Sequence, residues 1–164
     1  HWSPLEMVSA CLEIETTRDI AHQIVRHRSF AFQEFSQRYA NPEEMGEQFV
    51  TRECRLQDTK NRQNSIDTDN DYLMERWEEE QLKVIMQAEK AYNWAIDNGI
   101  AKEQARVVLP EGCTKTRLYM NGTIRSWVHY IELRGANGTQ KEHMEIAHAC
   151  AKVIAEIFPL AKEL

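Results

Sequence analysis

The stretch from about Asp71 to Asn98 restricts the fold more than any other part of this sequence. Leu73 and Trp77, then Leu82, Ile85, Met86, Tyr92 and Ile96, recur at helical spacing. Gly99 stands where a left-handed C-terminal cap belongs. At 1.5 Å per residue such a helix is roughly 40 Å long, so a large share of the chain is committed to α structure. Trp77, Tyr92 and Trp94 are read as core and subunit-packing residues rather than a stacking surface, and Glu78-Glu79-Glu80 as a solvated face.

Shorter elements flank this helix. Ser3-Pro4-Leu5-Glu6 has the form of a capping box with proline at the first helical position. Cys11 to Glu15 alternates weakly, as a strand does. Thr16 or Thr17 then caps a helix with Asp19 in its first turn, placing Ile20, Ile24 and His27 on one side and Gln23 and Arg26 on another. From Ser29 to Tyr39 the pattern is extended and irregular. Ala40 to Asp71 is polar and aperiodic, with Asn61-Arg62-Gln63-Asn64-Ser65 as a surface loop; loops of roughly 30 residues are usually functional or disordered. A short helix is expected over Lys102 to Val107, stopped by Pro110. Thr114, Thr116, Leu118 and Met120 alternate with Lys115, Arg117 and Tyr119, which predicts a strand. Thr123 caps a helix to about Leu133, ended near Gly135. Thr139-Gln140-Lys141-Glu142 is a second capping box, opening a last helix to about Phe158 with Met144, Ala147, Ala151, Ile154 and Phe158 as its stripe. Helices dominate, and the strands are not joined by regular βαβ units, which gives an α+β class.

The 164 residues suit one domain, expected over residues 1–164. A net charge of −6 argues against a nucleic-acid or anionic-membrane partner for the whole chain. No apolar run reaches the roughly 18 residues that span a bilayer, and no secretory signal is visible. Cys11, Cys54, Cys113 and Cys150 are scattered without a C-x-x-C pair and read as reduced thiols of a cytoplasmic protein. The chain starts at His1 rather than Met and runs at once into an ordered pattern, so further residues are expected to precede it.

Against this acidic background Arg26, His27, Arg28 and Arg38 fall close together. Two arginines at a helix end complement its dipole, but that does not account for the segment that follows. Ser36 and Arg38 share one side of an extended chain. A hydroxyl, free backbone N–H groups and an arginine fork together form a phosphate cradle.

Arg26-His27-Arg28, Glu34, Ser36, Arg38 and Tyr39 resemble the R-H-R-x-x-S-x-x-E-x-S-x-R-Y signature of the flavin-dependent thymidylate synthases. One position departs: Ala31 replaces the first serine, so a hydroxyl contact made there by other members is lost. His1 to Glu6 looks like the family's H-x-[ST]-P-x-E segment, Ala105 to Pro110 is similar to its A-R-x-x-L-P block, and Arg125 to Arg134 to its R-S-x-x-[NH]-x-x-x-L-R block. Together these cover most of the chain from His1 to about Ile146.

The resemblance implies an antiparallel sheet with packed helices, one of them long and central, in a homotetramer with active sites at subunit interfaces. It implies reductive methylation of dUMP to dTMP, with methylenetetrahydrofolate as carbon donor and FAD reduced by NADPH. Gln23, Ile24, Val25 and Arg26, the loop Glu34, Phe35, Ser36, Gln37 and Arg38, and Arg106 would contact dUMP. Arg134 would sit beside the uracil ring and serve as the catalytic residue, since a guanidinium there stabilises negative charge on the pyrimidine. Ser3, Arg26, His27, Arg28, Glu34, Thr123, Ile124, Arg125 and His129 would contact FAD. Asn121 competes with Thr123 for one of those positions. No metal is implied.

Other readings compete with less support. Cys113 as a nucleophile lacks an activating base nearby in sequence beyond Lys115. Glu145 and His148 form a single E-x-x-H, where a di-iron site needs two copies, so a solvated Glu and a half-buried His are expected. His143 and His148 are five apart and make poor joint ligands. The alternative function is a truncated, non-catalytic relative that binds dUMP without turnover.

Overall fold

The computed structural model describes residues 1–38 and 48–158. Its larger sheet is built around strand β5 (Lys115–Thr123), where the alternation is strict: Thr116, Leu118, Met120 and Gly122 are buried, while Tyr119 and Asn121 face solvent. Strand β1 (Ser9–Thr17) pairs antiparallel with it over its whole length, from Ser9 opposite Thr123 to Thr17 opposite Lys115. Strand β2 (Ala31–Glu34) pairs antiparallel on the other side, with Phe32 opposite Met120 and Glu34 opposite Leu118. The order is therefore β1-β5-β2. A second sheet is the hairpin of β3 (Arg55–Gln57) and β4 (Ser65–Asp67).

Helices α1 (Arg18–Ile24), α4 (Ile124–Arg134) and α5 (Lys141–Ile157) share a core with the larger sheet. Ile20, Ile24, Leu118, Met120, Trp127, Tyr130, Ala147 and Ile154 are its centre. Trp127 Nε1 donates to the Ala10 carbonyl at 3.0 Å, which ties α4 to β1. Gly122 is needed for a close approach. The Phe30 ring lies against it, and a Cβ there would stand 2.4 Å from Phe30 Cδ1. That ring meets Trp127 and Tyr130 edge-on, with centroids 4.9 and 5.9 Å away.

Helix α2 (Asp71–Asp97) has the expected ends. Asn70 Oδ1 accepts from the Leu73 N–H at 3.1 Å, and Gly99 has φ 75°. Tyr92 and Ala95 pack with Ala105 of α3 (Lys102–Ala105) and with Leu109, just beyond a 3₁₀ turn at Arg106–Val108, as a second, smaller core. A polar staple joins α2 to the sheet. Gln81 exchanges hydrogen bonds of 2.8 and 2.9 Å with the Arg52 backbone, and the Arg52 guanidinium reaches Thr17 and Asp19, both at 2.7 Å. Of the predicted stripe of α2, Ile85 and Tyr92 are buried and Ile96 half-buried, whereas Leu73, Trp77, Leu82 and Met86 are exposed, as is Trp94 beside them.

The α+β class holds, but local expectations change where tertiary partners compete. Neither capping box forms. Ser3 lies inside a 3₁₀ turn, Ser3–Glu6, whose cap is Trp2. Gln140, not Thr139, caps α5, and its side chain is drawn instead to Gln23 and Glu142. Thr17 does cap α1, yet its hydroxyl donates to Asp19 Oδ1 at 2.6 Å rather than accepting from the backbone. Helix α1 ends at Ile24, so His27 does not continue its stripe. The polar middle of the chain contains the β3–β4 hairpin, in which Leu56 stands opposite Ile66. The buried face of α5 is His143, Ala147, Cys150 and Ile154, turned from the predicted stripe, and His148 is exposed. Tyr39, the last residue of the signature run, and residues 40–47 at the start of the polar stretch lie outside the described residues. Among the described residues no helix is long and apolar enough to cross a membrane.

Candidate functional site

The segment Arg26-His27-Arg28 is suspended between two anchors, Ile24 in the main core and Phe30 against Gly122. The helix unwinds over a turn in which the His27 N–H donates to the Ile24 carbonyl at 3.1 Å. This leaves Arg26 and Arg28 exposed on either side of a half-buried His27. The imidazole meets the Tyr130 ring edge-on, with centroids 4.9 Å apart. Arg134 Nε, at the end of α4, donates to His27 Nε2 at 2.9 Å. Guanidinium can only donate, so Nε2 carries the lone pair and His27 is neutral. Burial, reinforced by the charges of Arg134 and His129, lowers its pKa.

Behind His27 lies a polar group inside the apolar core. His143 is fully buried, with Nε2 3.1 Å from the Tyr130 hydroxyl and Nδ1 3.3 Å from Gln23 Oε1. Gln23 Nε2 donates to Gln140 Oε1 at 2.8 Å, and Gln140 Nε2 to Glu142 Oε2 at 2.9 Å. Arg55 closes the series on Glu142. Sequence reasoning missed Tyr130, His143 and Gln140. The signal for His143 was its spacing to Ala147, Cys150 and Ile154, which puts it on an apolar face.

The segment after β2 forms a second group. Glu34 Oε1 accepts from Thr116 at 2.9 Å and Arg18 at 3.2 Å. The Phe35 N–H still bonds the Arg117 carbonyl at 2.8 Å, so the chain leaves the sheet only afterwards. Ser36 is half-buried. Gln37 is buried, and its Nε2 has no hydrogen-bond partner among the described residues. Arg38 pairs with Glu103 at 3.6 Å, and Arg106 Nε donates to the Glu103 carbonyl at 3.3 Å. One residue, Glu103, thus gathers two of the predicted phosphate ligands.

A third group stands at the start of α4. Thr123 caps the helix, accepting from the Ser126 N–H at 3.2 Å. Arg125 pairs with Glu6 in the turn that holds Ser3. Arg125 and His129, four residues apart, are both exposed. Ile24 and Ile124 are buried in the core and Val25 is exposed, so a ligand contact at either isoleucine would run through the main chain.

Charge pairing divides the arginines, and four of the six at the site, Arg26, Arg28, Arg106 and Arg134, differ in this from Arg38 and Arg125. Arg18, Arg38, Arg52, Arg55, Arg76, Arg117 and Arg125 each pair with a carboxylate. Among the described residues Arg26, Arg28, Arg62, Arg106 and Arg134 do not. In a chain of net charge −6, four of those five unpaired guanidiniums fall at the predicted ligand positions.

The likeness to known proteins runs through all three groups. The family profile described as thymidylate synthase complementing protein matches residues 1–160. The chain is 50% identical over 165 residues to a protein of Paramecium bursaria Chlorella virus 1 described as "Probable flavin-dependent thymidylate synthase", covering 100% of this chain and 74% of the relative. It is 51% identical over 160 residues to the flavin-dependent thymidylate synthase of Synechocystis, covering 97% of this chain and 72% of that one. A Thermus thermophilus enzyme of the same description is 32% identical over 166 residues, covering 98% of this chain and 57% of that one. On a match that spans nearly every residue and contains the unpaired arginines, this chain belongs to the thymidylate synthase complementing protein family.

Proposed function

We propose that this chain is a flavin-dependent thymidylate synthase, which converts dUMP to dTMP by reductive methylation with methylenetetrahydrofolate as carbon donor and NADPH-reduced FAD as reductant. Arg26, Arg28, Arg106 and Arg134, which have no carboxylate partner among the described residues, carry this reading, since such guanidiniums suit phosphate-bearing ligands. The donor set fits FAD: Arg26 and Arg28 stand exposed beside neutral His27, and Arg125, His129 and Ser3 present cationic and polar groups from α4 and the first turn. Glu34 and the main chain at Thr123 and Ile124 complete that set. When bound, the flavin supplies the electrons of the reduction.

The other roles belong to the chain's own residues. Arg38 and Arg106, drawn together by Glu103, take the nucleotide phosphate, with Ser36 and the backbone of Glu34 to Gln37 beside them. Gln23 and Arg26 contact the nucleotide from the end of α1. Arg134 is the catalytic residue. Its Nε is committed to His27, which leaves the two terminal amino groups to face the uracil ring and stabilise negative charge developing there.

The active site is read as completed between copies in a homotetramer. Arg106 follows Ala105 of the smaller core, while Arg134 ends the helix that packs in the main core. The exposed Trp77, Leu82, Met86 and Trp94 of α2 offer the apolar surface that a second copy covers. Purified protein should be yellow and sediment as a tetramer. It should release tritium from C5-labelled dUMP when NADPH and the folate are supplied. Colourless protein that binds dUMP without turnover would sink this reading in favour of a non-catalytic binding relative.

A further inference from the structure

The polar group behind Gln23 has a direction, which can be read from its charged end. Glu142 is paired with Arg55 and is a carboxylate, which only accepts. Gln140 must therefore turn its NH2 toward Glu142 Oε2, leaving its oxygen for Gln23. Gln23 meets that oxygen with its own NH2 at 2.8 Å, so the Gln23 oxygen faces His143 Nδ1. An amide oxygen also only accepts, so Nδ1 carries the hydrogen. Burial, with the charges of Arg134 and His27 nearby, lowers the His143 pKa to about 4, so the ring is neutral and Nε2 has a lone pair. The Tyr130 hydroxyl, kept protonated by burial, donates to that lone pair at 3.1 Å. Every bridging hydrogen from Tyr130 to Glu142 is thereby assigned, across side chains from α1, α4 and α5 and the residue that caps α5.

One hydrogen of the Gln23 amide is left over, with no partner among the described residues, on a half-buried side chain next to the Arg26–Arg28 segment. We propose that His143, backed by Tyr130, is a positioning residue that holds the oxygen side of the Gln23 amide while Gln140 holds its NH2 side, so that the amide is locked with its oxygen inward and offers the nucleotide an N–H donor. This rests on the reading of Gln23 as a nucleotide contact. A free glutamine amide flips, and on average it offers a nucleotide oxygen the wrong end for part of the time. A locked one is pre-organised for a carbonyl or phosphate oxygen. His143 touches neither ligand; it acts through Gln23.

The test titrates dUMP into the FAD-loaded protein and follows flavin absorbance. His143→Phe keeps an aromatic ring and removes both nitrogens. We expect it to raise the Kd for dUMP roughly 5- to 10-fold, the scale of one hydrogen bond to the ligand, with bound FAD per chain unchanged. His143→Asn restores an amide N–H near the Nδ1 position and should recover most of the loss. In a Gln23→Ala background, His143→Phe should add nothing further. The proposal is overturned if the two single effects multiply, or if His143→Asn binds no better than His143→Phe. If Gln23→Ala leaves dUMP affinity unchanged, the nucleotide role of Gln23 falls and the proposal with it. A fall in dUMP affinity in Gln23→Ala without one in His143→Phe sinks the positioning role alone. Where His143→Phe does not fold, Tyr130→Phe, which removes a single hydroxyl, runs the same cycle against Gln23→Ala and decides by the same criterion.

Discussion

Arg134 and His27, 107 residues apart in sequence, meet through a 2.9 Å hydrogen bond from guanidinium Nε to imidazole Nε2. The bond fixes the His27 tautomer and leaves the two terminal amino groups of the guanidinium outside it. Arg134→Ala is expected to retain FAD and lose most methylation, because the proposed role of Arg134 is at the uracil. Arg134→Lys should not rescue it, since an ammonium cannot bond His27 and also present a planar pair of donors. Flavin content from absorbance and tritium release from C5-labelled dUMP check this. Collapse of flavin content with unchanged activity per flavin would show the assignment to be wrong.

Buried, neutral His143 makes stability depend on acidity. Its folded pKa of about 4 lies below the ordinary 6.5. Between those values the unfolded chain binds a proton that the folded chain excludes, so stability is full above about pH 6.5 and falls steadily toward about pH 4. His27, also lowered by burial, acts in the same direction. Thermal melts across this range should show the decline, and His143→Phe, which cannot titrate, should flatten it.

Glu103 holds Arg38 in an exposed ion pair at 3.6 Å, so a phosphate at Arg38 must compete with it. Arg38→Ala and Arg106→Ala should each weaken dUMP binding by roughly 1.5–3 kcal/mol, the range for a hydrogen bond to a charged group. Glu103→Gln should act oppositely and tighten binding by at most about 1 kcal/mol, the scale of an exposed ion pair. Equilibrium titration of the three variants with dUMP separates these directions.

Gly122→Ala is expected to destabilise the fold by roughly 1–3 kcal/mol, as overpacking does. The new Cβ would meet the Phe30 ring, which Trp127 and Tyr130 keep from sliding aside. In a Phe30→Ala background the same substitution should cost much less. Denaturant melts of the four proteins in the cycle measure this coupling.

Cys113→Ala should keep its turnover. Burial raises the thiol pKa despite the charge of Arg52, so the thiolate a nucleophile needs is disfavoured. Loss of the chemical step alone in this variant would reopen the case for a catalytic cysteine.

What the sequence determined by itself was local. The alternation of β5, the span of α2 from Asp71 to its Gly99 cap, the Thr123 cap of α4 and the arginine run after α1 were all legible, because periodicity and capping depend on residues within a turn or two of each other. The site residues were legible only as a motif. Neither periodicity nor motif showed that Ile24 and Ile124 are sealed in the core, that Glu103 draws Arg38 and Arg106 together, or that a buried histidine stands behind Gln23. Both capping boxes were misread for the same reason: their side chains found other partners or none. His143 is 120 residues from Gln23, and the two meet only because the β1–β5 register and the packing of α1, α4 and α5 bring them to one point. Such contacts are a property of the packed chain, since no local propensity pairs side chains so far apart.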